Sequence, residues 1–280
     1  MFALIRFELR KLTAQKRSLA GFGAIIFINL LFVCAFIMRN RKFGHKAVPG
    51  LEDRLISEFV NAYVYTETIL APCMFVLFPM VLTILGCHLL AGEIEVGQAR
   101  LVACRSVSRW QIVLAKFVSL CAYSGAMLLV LLVTSYAVSA LVFKPTGDLV
   151  GMGHMYMIKP GVYIHPASDV PWRILLSYLF AWPMLMAVGA LALMLSLATR
   201  QFTSAAILTS TSYFCSYIVG GIPFLSAIHP FLPTKYLPFW RLLMYPDVPW
   251  HRVGSYAFWT FGYTGLFLAV AIAVFNAQEL

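Results

Sequence analysis

The chain has 280 residues, 61% of them hydrophobic and 11% charged, with a formal net charge of +10. Soluble domains run at about 45–50% apolar and about 25% charged, so this composition excludes that class and indicates a polytopic membrane protein. The excess Lys and Arg flank apolar runs, where topology and lipid headgroups account for them, so the charge is not read as a nucleic-acid footprint.

Residues 1–17, MFALIRFELRKLTAQKR, place Phe2, Ile5, Leu9 and Leu12 on one helical face and Arg6, Arg10 and Arg17 on another. That pattern predicts an amphipathic helix lying flat at the headgroups, the plainer alternative being a positive flank for the first span. The basic opening and the long apolar run behind it argue against a cleavable signal peptide. The first span is expected over residues 19–38, with Asn29 as its one strongly polar residue. Residues 39–67 form an outer loop with a turn at Pro49–Gly50, and its second half suggests a helix carrying Leu55, Phe59 and Ala62. The second span is 68–90, interrupted by Pro72 and Pro79.

Between the second and third spans lies AGEIEVGQARLVACRSVSRWQIVLAK, residues 91–116. It is far longer than a simple connection needs to be. It mixes Glu93, Glu95, Arg100, Arg105, Arg109 and Lys116 with Leu101, Val102 and Val107, a pattern that suits a short amphipathic helix gripping a soluble partner or lying at the membrane surface.

The third span is 117–143. An outer loop, 144–173, contains GMGHMYM, where Met152, His154, Met155 and Met157 form a weak candidate Cu(I) cluster. The competing reading is apolar packing by flexible Met side chains. The fourth span is 174–199 and is rich in small residues, which let helices approach closely in lipid. Thr199, Arg200 and Gln201 make a tight turn into the fifth span, 202–224. The hydroxyls of Thr209, Ser212 and Ser216 there either bond within the bundle or line a path. Residues 225–252 are apolar but broken by five prolines, which predicts re-entrant or interfacial helices with Trp240 and Trp250 at headgroup level. The sixth span is 256–275.

The expected fold is therefore an all-α membrane protein, a single transmembrane domain over 1–280 with six spans. With both termini inside, the inner segments hold ten basic residues in 46 positions, against eleven in 87 outside, which places the termini in the cytoplasm. As drawn, no Asp, Glu, Lys or Arg lies within a span, which disfavours ion-coupled transport. His88 is the one imidazole in a span and reads as a packing residue. Of the six cysteines, five fall in spans and Cys104 in the long loop, so no disulfide framework is expected. There is no GxxxxGK[ST], HExxH or GxSxG motif, so neither nucleotide hydrolysis nor another enzymatic activity is expected of this chain.

The long loop resembles that of ABC-2-type export permeases, the transmembrane subunits of ATP-binding cassette exporters. Glu93, Gly97, Leu101, Val107, Ser108, Arg109 and Lys116 stand in the family's positions, while Gln98 replaces a Thr and Ser106 a Pro. SLATRQFTSAA, residues 196–206, is similar to the family's turn between spans four and five. The resemblance implies a permease dimer, homo- or heteromeric, in a bacterial-type cytoplasmic membrane. It implies a separate P-loop ATPase that carries the ATP and Mg²⁺, and no cofactor in this chain. It makes Glu93, Glu95, Gly97, Arg100, Leu101, Arg105, Ser108, Arg109 and Lys116 a coupling helix, with Thr199, Arg200 and Gln201 as a second contact. The implied substrate is amphiphilic: a drug, peptide or lipid-like molecule. The alternative is a scaffold or maturation subunit serving an extracellular, possibly copper-containing, protein.

Overall fold

The computed structural model describes residues 1–45, 47–48, 51–97, 108–152 and 162–277. It is mostly helical, 84% by residue. Helix α1 (Phe2–Ala14) and α2 (Lys16–Phe43) meet at Gln15, which is extended (φ −80°, ψ 130°) and breaks the helical run. After a short hairpin, β1 (Ala47–Val48) with β2 (Leu51–Leu55), comes α3 (Ala62–Glu95). Then follow α4 (Arg109–Val142), a second hairpin of β3 (Leu149–Met152) with β4 (Val162–His165), α5 (Val170–Thr199), α6 (Phe202–Gly220) and α7 (Trp250–Ala277).

Five of these helices are long and apolar enough to cross a membrane: α2 from Ser18, α3, α4, α5 and α7. The expected fifth span, α6, is a 19-residue helix whose hydroxyls dilute its apolar character. The long helices outrun the spans read from sequence. Residues 62–67, 109–116 and 170–173, assigned to loops, are the first turns of α3, α4 and α5. At 34 residues, α3 and α4 each extend about 50 Å, well beyond a ~30 Å hydrocarbon core. Ending each span at its first charge cut them short. The charges are held by partners: Arg173 Nη1 donates to the carbonyls of Leu243 (2.9 Å) and Tyr245 (2.7 Å), and its Nη2 to that of Pro246 (3.0 Å).

α3 is not uniform. Pro72 leads into a wide π turn at Cys73–Leu77, and a second π turn spans His88–Gly92. Such turns free backbone groups that a neighbour must satisfy. At the second, the Ala91 N–H donates to Ser196 Oγ on α5 at 2.7 Å, and that hydroxyl donates on to the Cys87 carbonyl at 3.3 Å.

α5 is the hub of the bundle, packed by α3, α4, α6 and α7. Its small residues explain why: Ala181, Ala187, Gly189, Ala190 and Ala192 are buried. A Cβ added at Gly86 of α3 would lie 2.8 Å from the Ala192 Cβ, so the two helices meet almost backbone to backbone. Asn29, the polar residue of the first span, is buried and ties three helices together. It donates to Thr134 Oγ1 on α4 (3.0 Å), and the Tyr65 hydroxyl of α3 donates to its carbonyl (2.8 Å).

One loop expectation is corrected: the second half of the 39–67 segment holds β2 and a single 3₁₀ turn (Ile56–Phe59) rather than a separate helix, and Ala62 already opens α3, capped by Asn61 Oδ1 accepting from the Val64 N–H at 3.0 Å. In the proline-broken segment, Trp240 is 1% exposed within the protein core, on a 3₁₀ turn over Phe239–Met244. Trp250 is 58% exposed at the start of α7.

Candidate functional site

The residues singled out in sequence converge at one end of the bundle, where α1, the last turn of α3, the first turns of α4 and α6 and the last turn of α7 come together. α1 does not simply float at a surface. Phe2 is exposed, as an interfacial face requires, but Glu8 and Leu12 are turned inward and buried. The Glu8 carboxylate accepts from Lys116 Nζ of α4 at 3.1 Å. The same Nζ donates to Glu93 Oε1 at 2.7 Å, and Lys11 Nζ reaches that oxygen at 2.9 Å. Four alternating charges from α1, α3 and α4 thus form one knot. Lys116 is 1% exposed and Glu93 6%, so solvent screens neither strongly. Glu93 and Lys116 were expected to face a partner; they face each other, because a buried charge requires a counter-charge.

Arg109 also turns inward. Its Nη1 donates to the carbonyls of Phe275 (3.1 Å) and Asn276 (3.3 Å), satisfying the last turn of α7 with the cation that a helix C-terminus favours. Glu95 and the Thr199–Gln201 turn, proposed separately from sequence, meet directly: Glu95 Oε2 accepts from the Phe202 N–H, the first of α6, at 3.0 Å. A carboxylate there caps the helix and complements its dipole. Between the two connections lies an exposed rim of Glu95, Val96, Gly97, Ser108, Arg200 and Gln201. Val96 is 70% exposed. Gly97 (φ 77°) and Arg200 (φ 57°) adopt left-handed backbone where the two helices end. Ser108 opens α4 with its N–H donating to Gln111 Oε1 at 3.3 Å. Arg100, Leu101 and Arg105 lie outside the described residues.

The hydroxyls of α6 divide. Thr209 is buried and donates to the Ala205 carbonyl at 2.8 Å, beside Cys87 Sγ at 3.6 Å. Ser212 and Ser216 line a small cavity of about 140 Å³ closed by Tyr213, Thr234 and Leu237. His88 packs edge-on against Phe202, with ring centroids 5.8 Å apart. Of the candidate copper cluster, Met152 ends β3, while His154, Met155 and Met157 lie outside the described residues. Near the opposite end, burial and the neighbouring Arg173 hold His165 below the usual imidazole range, against the Met244 carbonyl 3.1 Å from Nε2.

Glu67, assigned to a loop, lies inside α3 and is 2% exposed. It stands just before the second span as drawn, near the start of a helix long and apolar enough to cross a membrane.

A family profile described as a protein of unknown function, DUF2705, matches residues 24–278. The chain belongs to that family. Comparison with curated proteins finds no match. The family spans the bundle from α2 through α7, so the knot, apart from the α1 side chains Glu8 and Lys11, lies within it.

Proposed function

We propose that the chain is the permease subunit of an ATP-driven exporter of the ABC-2 type. In this reading it sits in a bacterial-type cytoplasmic membrane with both termini in the cytoplasm. It pairs with a second permease copy or a related chain, and separate P-loop ATPase subunits supply the energy. The rim built from Glu95–Gly97, Ser108 and Arg200–Gln201 is where the ATPase docks, and the exported molecule is amphiphilic.

The observation that carries the reading is the Glu95–Phe202 hydrogen bond. It joins the ends of α3 and α6 into one exposed surface, so a push on either connection moves both helices. The ionic knot gives that surface a rigid base, because Glu93, two residues before Glu95, is locked to α1 and α4. Exposed polar residues at helix ends, on a buried charged base, suit a soluble partner. Ser212 and Ser216 on α6 are then the polar part of the path.

The test is Arg200→Glu, a charge reversal on an exposed side chain with no buried side-chain partner among the described residues. Co-purification of an ATPase should fall at least tenfold while the chain still extracts as a monodisperse protein. Undiminished co-purification would remove this rim as the docking surface.

A further inference from the structure

Glu67 is the most exceptional polar side chain of the bundle. It lies near the start of a helix long and apolar enough to cross a membrane and is 2% exposed, and among the described residues neither carboxyl oxygen has a hydrogen-bond partner. The buried acids of the ionic knot, Glu8 and Glu93, each touch a Lys ammonium; Glu67 touches none among the described residues. An ionised carboxylate held this way would incur a desolvation penalty of several kcal/mol with nothing to offset it. A neutral carboxylic acid avoids most of that penalty.

The groups around it fit a site that holds a proton. Tyr178 of α5 lies within electrostatic reach, but its hydroxyl donates to the Thr66 carbonyl at 2.9 Å and so is not available to the carboxyl. On its own helix, Tyr65 is committed to Asn29, and Tyr63 stacks on Tyr136 of α4 at 5.8 Å. Among the described residues, the formal charge facing Glu67 is Arg241, on the 3₁₀ turn of the proline-broken segment. Its guanidinium stacks on Phe75 of α3, 4.5 Å from the ring centroid. Glu67 is six residues from the Asn61 cap, about 9 Å along the helix axis, so that end of the bundle is the nearer route to water.

We propose that Glu67 is a buried proton-binding site, protonated in the conformation seen here. When water reaches it, the carboxyl O–H bond breaks, the proton passes to that water as hydronium, and the remaining carboxylate faces the Arg241 guanidinium. The new charge attracts that guanidinium, so proton occupancy is linked to the position of the Phe239–Met244 turn against α3. The inference is independent of which partner supplies energy to the protein.

Infrared spectroscopy of the full chain in lipid nanodiscs tests it, by recording the carbonyl stretch of a protonated carboxyl across a pH series. At neutral pH the wild type should show that band. Glu67→Gln, the neutral isostere, should remove it. Glu67→Asp should shift it without abolishing it, and raising the pH should bleach the wild-type band reversibly. A wild type with no such band at neutral pH, or a band that survives unchanged in Glu67→Gln, overturns the proposal.

Discussion

Replacing Lys116 with Met tests how this end of the bundle is held. The substitution keeps the length and apolar stem of the side chain but removes the one ammonium shared by Glu8 and Glu93. Glu93 retains Lys11, but Glu8 loses its only ion-pair partner among the described residues and remains buried. Breaking a buried pair on one side costs about 4 kcal/mol, because it strands the other charge. That is roughly a thousandfold in the equilibrium between docked and undocked α1. Lys11→Met should cost about 1 kcal/mol or less, since its side chain is 28% exposed and the pair it breaks is screened. Thermal unfolding in mild detergent, with protease cleavage near Gln15 as a local probe, should rank Lys116→Met far below Lys11→Met. Adding Glu8→Gln to Lys116→Met should recover most of the loss by removing the stranded charge. Equal melting of the two single variants, or no recovery in the double, would refute the knot as the holding device.

Three further outcomes are expected. Gly86→Ala should cost about 1–3 kcal/mol by overpacking α3 against α5, and Ala192→Gly should recover part of it, since the new Cβ would sit 2.8 Å from that of Ala192; melting curves of both variants and their combination check this. Because His165 has a lowered pKa in the fold, the unfolded chain takes up its proton first, so stability should hold above about pH 6.5 and fall as the pH drops below it. A series of melting temperatures against pH should show that acid-side loss in the wild type and a flatter profile in His165→Gln. Glu95→Ala should weaken the start of α6 by about 1 kcal/mol, seen as faster amide hydrogen exchange at Phe202 and the residues just after it.

The apolar runs were legible because lipid demands about twenty uncharged residues per span, and five of the six expected runs fall in helices long and apolar enough to cross a membrane. The helix ends were not, because a charge can sit inside a helix when a distant residue neutralises it. Lys116 depends on Glu8, 108 positions away, and Arg173 on carbonyls about 70 positions away; no local pattern encodes either. The same reasoning explains Glu93 and Arg109, whose motif positions suggested a partner but which the structure ties to α1 and α7. Glu8 itself carried a signal, an acid on the Leu12 side of an otherwise basic helix. Glu67 carried one too, standing at the head of an unbroken apolar run, where treating it as a loop residue hid it. The prolines around Trp240 spoke for an irregular segment but not for its burial against the bundle.

The most direct measurement is a tagged pull-down of the full chain from mild detergent in its native cells, with ATPase activity assayed on whatever accompanies it. The account predicts a stoichiometric P-loop ATPase whose association is lost in Arg200→Glu and retained in Ser216→Ala. A chain that purifies without any ATPase from cells expressing it natively would contradict the exporter reading.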